Sequence, residues 1–215
     1  MPGAAPGVWG GAGAALHALV VCAAFADEVE ARPLPSRSFA ELVFDPGRPG
    51  SFFHFYDTMS QGQLRVRGTV LPRRYAAAGT AAEYVADDPA NTGPYGRFVQ
   101  EVLEAADRDV NFRLYDNDGP DGRPDSGDDD GTVDYVFVTV VSTPRSFIRR
   151  GATGIASLGF RGEVTTGDTG ASGEPIRIGG TRERGCLVRE GNAEQTVGSM
   201  AHEFGHALGR RDRPL

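Results

Sequence analysis

His202-Glu203-Phe204-Gly205-His206 sets two imidazoles four positions apart, with a carboxylate next to the first. On an α-helix such positions lie one turn apart on the same side. Both rings can then meet one tetrahedral ion at the roughly 2.0–2.1 Å that zinc takes to nitrogen, and Glu203 can reach the water that the ion activates without being a ligand. Gly209 follows His206 and can take the left-handed conformation that ends a helix. Asp212 comes next, placed so that a reversing chain can return it as a third protein ligand. Three protein ligands leave the fourth position to water, which is a catalytic arrangement; a structural site would ask for four.

A second cluster is purely acidic. Between positions 116 and 134 stand Asp116, Asp118, Asp121, Asp125, Asp128, Asp129, Asp130 and Asp134 against Arg123 alone, which accounts for the whole net charge of −7. Ser126, Asp128, Asp130, Gly131, Val133 and Asp134 follow the order of an EF-hand loop, but Phe137 stands where the bidentate glutamate belongs, so this is not an EF-hand proper. Asp116, Asp118 and Asp121 can add oxygens toward the six to eight that calcium takes. The reading is a calcium site drawn from Asp116, Asp118, Asp121, Asp128, Asp130 and Asp134, because so many carboxylates repel one another unless a cation neutralises them. The bland alternative is a solvated acidic loop.

Three stretches together resemble a known family. They are Met200-Ala201-His202-Glu203-Phe204-Gly205-His206-Ala207-Leu208-Gly209 with Asp212, the run from Tyr115-Asp116-Asn117-Asp118-Gly119 to Val133-Asp134, and, more weakly, Met59-Ser60-Gln61-Gly62-Gln63-Leu64 leading to Gly68-Thr69-Val70. In this order they resemble the immune inhibitor A family of secreted zinc metallopeptidases, peptidase family M6. The resemblance implies an α+β fold of the zincin, metzincin-like type, with a mixed twisted sheet beside the HExxH helix. It also implies zinc held by His202, His206 and Asp212, Glu203 as the catalytic base, and protein or peptide substrates. Arg210-Arg211 stands where the family carries Leu-Pro, and no methionine follows Met200 to supply a methionine turn. The expectation is therefore a domain over 51–215 that stops after the motif, with its C-terminal subdomain missing and its zinc held weakly. The competing reading is an inert remnant that serves as a calcium-binding extracellular module.

These groups need elements to hold them. Asn192 and Gln195 stand at capping-box spacing, and Val197, Met200, Ala201, Phe204 and Leu208 recur on one helical face, so a helix should carry the histidines on another. The patterning also predicts helices over 52–59 and 95–107 and strands over 39–44, 63–70 and 134–141. Shorter strands are expected near 154–158 and 176–178. Ala14 to Ala26 is apolar and closes on Ala24-Phe25-Ala26, the small-x-small pattern of a signal-peptidase site, so residues 1–26 read as a signal peptide and 27–50 as a linker. A buried helix is the alternative for that stretch. The expected setting is extracellular.

Composition excludes several functions. All 22 basic residues are arginines, so chemistry that needs a lysine Schiff base or a phosphate-loop lysine is absent. The acidic balance argues against nucleic acid as a partner, and no apolar run is long enough for a membrane span. Cys22 and Cys186 cannot make a disulfide framework. Cys186 reads as a buried thiol and His54 as an ordinary histidine.

Overall fold

The computed structural model describes residues 15–28, 35–88, 90–149 and 152–208. Its centre is a five-stranded sheet in the order β2-β1-β3-β7-β4, formed by β1 (Ala15–Ala24), β2 (Arg65–Ala76), β3 (Tyr135–Val140), β4 (Gly154–Ile155) and β7 (Gly185–Arg189). The four longer strands run parallel, and β4 pairs antiparallel at the edge, Gly154 opposite Val188 and Ile155 opposite Leu187. A separate hairpin joins β5 (Glu163–Thr169) and β6 (Pro175–Gly179).

Helices cover both faces. On one, α3 (Tyr95–Asp107) lays Phe98, Val99, Val102 and Leu103 against Leu19, Val21 and Ala23 of β1 and Val136 and Val138 of β3. On the other, α1 (Arg37–Phe44), α2 (Phe52–Met59) and α4 (Ala193–Leu208) pack Phe39, Phe52, Met200 and Phe204 over Val20, Phe137 and Cys186. The expected mixed sheet with helices is present, and parallel pairing prevails in it everywhere except at β4.

Two expectations are corrected here. The stretch read as the apolar core of a signal peptide, with processing after Ala26, is β1: it pairs with β2 on one side and β3 on the other, and Ala18 through Phe25 are fully buried. A parallel strand covered on both faces has no polar side to show and reads as one continuous apolar run, as a signal sequence does. The segment 27–50 is likewise more than a linker, because 39–44 belongs to helix α1 and is not a strand. Ser36 caps it by accepting from the Phe39 amide at 3.1 Å, and Phe39, Leu42 and Val43 repeat at helical spacing on its buried side. The helices at 52–59 and 95–107 fall at their expected bounds, and the remaining expected strands appear as β2, β3, β4 and β6.

Candidate metal centre and cleft

Helix α4 begins with the reciprocal cap its sequence announces: the Asn192 amide donates to Gln195 Oε1 at 3.1 Å, and the Gln195 amide donates to Asn192 Oδ1 at 2.8 Å. Its apolar side buries Val197, Met200 and Phe204. The Phe204 ring packs edge-on against Phe52, Tyr56 and Tyr135 at 4.9–5.4 Å between centroids. Leu208, at the far end of that side, stays 40% exposed. Tyr56 Oη also donates to the Ala201 carbonyl at 2.6 Å, so α2 holds α4 one residue before the first histidine. With that side anchored, His202 and His206 project into solvent, their ring centroids 5.0 Å apart.

Glu203 points elsewhere. It is only 8% exposed, and its carboxylate lies against the backbone of β4, where a Cβ added at Gly154 would fall 2.6 Å from Oε1. The contact requires glycine. Burial raises the Glu203 pKa above the ordinary carboxylate value, while nearby His202 and His206 act to lower it. One nitrogen of each ring and a Glu203 oxygen all lie within 4.8 Å of one another. Neither imidazole has a hydrogen-bond partner among the described residues, so both nitrogen faces are free to ligate. Two imidazoles and an adjacent carboxylate suit zinc, which favours nitrogen donors. Asp212, the expected third ligand, lies outside the described residues.

These groups line a cleft of about 1010 Å³ between α4 and the β4 edge. Its wall is braced where the parallel strands end. Glu190, just past β7, accepts from both Arg74 Nη1 and Nη2 at 2.8 Å and from Thr139 Oγ1 at 2.9 Å, while Arg74 Nη1 also reaches the Ala23 carbonyl at 2.7 Å. One nearly buried ion pair thus joins β2, β1 and β3 to the residue that leads into α4. Cys186 lies near Tyr135 and Glu203 as a fully buried thiol outside any disulfide, and burial raises its pKa above the ordinary thiol value, which disfavours the nucleophilic thiolate.

The acidic stretch divides. Asp116, Asp118 and Asp134 bring carboxylate oxygens within 4.8 Å of one another, and Asp116 and Asp134 are buried. Asp134 accepts from the His17 amide at 2.7 Å and the Asn117 amide at 3.0 Å. Asp116 Oδ2 accepts from the Gly131 amide at 3.0 Å, and its Oδ1 is buried with no partner. Burial pushes Asp134 up to about 8; burial and the neighbouring Asp129, Asp130 and Asp118 carboxylates push Asp116 up to about 7. Asp130 turns to Arg184, which also reaches Asp118 at 3.5 Å. Asp121 and Asp128 stand apart, tying the exposed loop to itself through the Arg123 and Asp121 amides.

Of the expected zinc residues, then, His202, Glu203 and His206 meet; of the six calcium candidates, Asp116, Asp118 and Asp134 do. Sequence reasoning missed Gly154, Tyr56 and the Arg74–Glu190 pair. Gly154 fell within an expected short strand, but nothing local marked it as the floor under Glu203. His54 accepts weakly from the Gly50 amide at 3.5 Å, an ordinary local role.

The sequence model of the immune inhibitor A peptidase M6 catalytic domain matches residues 41–213. No curated protein matches the chain.

Proposed function

Because the chain belongs to the immune inhibitor A peptidase M6 family, we propose that it is a zinc-dependent endopeptidase working in the cleft beside α4. The observation that carries the reading is the division of labour on one helical turn: two exposed imidazoles, without hydrogen-bond partners among the described residues, beside a carboxylate that is withdrawn against β4. His202, His206 and Asp212 would hold the metal. When bound, zinc supplies a Lewis acid for the scissile carbonyl and an acidified water. Glu203 then accepts the proton from the attacking water and returns it to the departing amine nitrogen. Its raised pKa favours both halves of that exchange, since a carboxylate that holds a proton more firmly is a stronger base and still a usable acid. The outer edge of β4, the last strand of the sheet, offers unpaired backbone groups to which an extended substrate can add as a further strand.

A calcium ion at Asp116, Asp118 and Asp134 belongs to the same reading. Its support is the buried, partnerless Asp116 Oδ1 facing two more carboxylates, an arrangement costly to leave without a cation. An extracellular setting also belongs to it, in keeping with the family. Residues 15–24 supply the strand between β2 and β3, so the fold described here depends on their being retained. No helix among the described residues is long and apolar enough to cross a membrane.

The test pairs zinc content with casein hydrolysis. The parent should bind zinc, hydrolyse casein and lose activity to a chelator. Glu203→Gln should keep its zinc and lose about 100-fold or more in rate, the usual worth of a general base. A parent that binds zinc and calcium yet cleaves nothing would favour the inert calcium module instead.

A further inference from the structure

The cleft carries more positive charge than its metal chemistry requires. Arg149 lies in the loop before β4 and Arg189 ends β7, and both line the cleft. Both backbones are tied to the short segment that leads into β4: the Arg189 amide donates to the Thr153 carbonyl at 2.6 Å, and the Ala152 amide donates to the Arg149 carbonyl at 3.0 Å. Arg182 lines the cleft from the turn before β7, but its guanidinium is engaged by Glu183 at 2.9 Å.

The only carboxylates lining this cleft among the described residues are Glu190 and Glu203. Glu190 is already held through both oxygens by Arg74, and Glu203 is withdrawn against Gly154. Among the described residues, Arg149 and Arg189 therefore have no carboxylate at ion-pairing distance.

We propose that Arg149 and Arg189 form a carboxylate-binding subsite that selects substrates with an aspartate or glutamate beside the scissile bond. The inference rests on the peptidase reading above. The register supplies the distance: Arg189 stands opposite Thr153, one strand position, about 3.3 Å, from the Gly154 against which Glu203 rests. A substrate extended along β4 places alternate side chains on one face. A carboxylate within two residues of the reacting carbonyl thus falls within reach of a side chain as long as arginine's. A guanidinium presents forked donors that match a carboxylate two bonds at a time, and both arginines are exposed to an incoming peptide.

The chain's net charge of −7 works against acidic substrates at long range. That charge resides in the stretch 116–134, and salt screens it beyond about 10 Å at 0.1 M ionic strength. A preference for acidic peptides must therefore come from the cleft.

The test uses quenched fluorescent peptides that differ at a single position within two residues of the cleaved bond, carrying Glu, Gln or Lys. The zinc-loaded parent should favour Glu over Gln by about 10- to 100-fold in kcat/KM, the worth of a charge-assisted hydrogen bond, and the gap should narrow in 1 M salt. Binding to Glu203→Gln, read by fluorescence anisotropy, should show the same order without turnover. The Arg149→Gln/Arg189→Gln pair should bring the Glu peptide down to the level of the Gln peptide. Each single variant should remove part of the gap, which covers a double variant that fails to fold. Arg189→Glu should shift preference toward Lys. Equal affinity and turnover for Glu and Gln peptides in the parent, or a preference that survives the double variant, overturns the proposal. Failure of the peptidase reading looks different: no peptide is cut whatever its charge, while the anisotropy measurement still reports whether the subsite selects carboxylate.

Discussion

The two clusters of potential ligands are built in opposite ways. His202, Glu203 and His206 come from a single turn of α4, with both rings open to solvent. Asp116, Asp118 and Asp134 come from a loop and the approach to β3, with two of the three carboxylates buried. An open pair of imidazoles leaves room for a substrate atom, as catalysis requires. A closed set of carboxylates ties Asp134 to the His17 amide of β1 and Asp116 to the Gly131 amide, and so can contribute only through the fold. On the proposed reading the same element, a carboxylate with a raised pKa, would do different work in the two places: Glu203 would move protons, and Asp116 and Asp134 would hold a cation.

The largest effect that sharpens this contrast should come from Gly154. Valine there drives a Cβ into the Glu203 carboxylate. It should lower peptide hydrolysis by about 100-fold, the scale of a 1 Å misplacement, while zinc content stays at the parental level. Unchanged turnover would mean that Glu203 does not work from the position seen here.

The acidic cluster should reveal itself through pH. In unfolded chain the two aspartates titrate near 3.8, whereas in the fold Asp116 and Asp134 hold their protons to about 7 and about 8. The folded state thus binds more protons between those limits, and stability without divalent ions should fall as pH rises from about 4 to about 8. Calcium should cancel the trend and raise Tm at pH 8 by about 5 °C or more, since at this size 1 kcal/mol is worth about 2–4 °C. Asp134→Asn should stabilise the calcium-free protein at pH 8 and abolish the response to calcium. A Tm that climbs with pH in chelator would break the comparison.

How far these sites can be read from sequence depends on how local they are. The His202–Glu203–His206 spacing and the Asn192–Gln195 cap are periodicities within one helix, so both were legible, and α4 carries both. Gly154 was not, since its lack of a Cβ matters only once β4 lies beside α4. Six aspartates were equal candidates in sequence; burial, which no local pattern encodes, brings together three. The error at β1 has the same root. Ala18 through Phe25 are apolar because helices cover both faces of their strand, and a run without a polar side carries no mark distinguishing a central strand from a segment to be removed. At α1 the run 39–44 is too short for periodicity to decide, and the decisive signal was the Ser36 cap.

The smallest expected effect is at Tyr56. Phenylalanine keeps the ring contacts with Phe52 and Phe204 and loses only the bond to the Ala201 carbonyl. Stability should fall by about 1 kcal/mol, and kcat/KM by less than about tenfold, as measured by denaturant unfolding and peptide turnover. A larger loss of activity would give α2 a direct share in placing His202.

The claim that the two clusters take different ions is tested most directly by metal analysis of three proteins after dialysis against zinc and calcium together: the parent, His202→Ala/His206→Ala and Asp116→Asn/Asp134→Asn. The parent should carry both ions, the histidine variant calcium alone and the aspartate variant zinc alone. Zinc retained without the two histidines, or calcium retained without the two buried aspartates, would contradict the account.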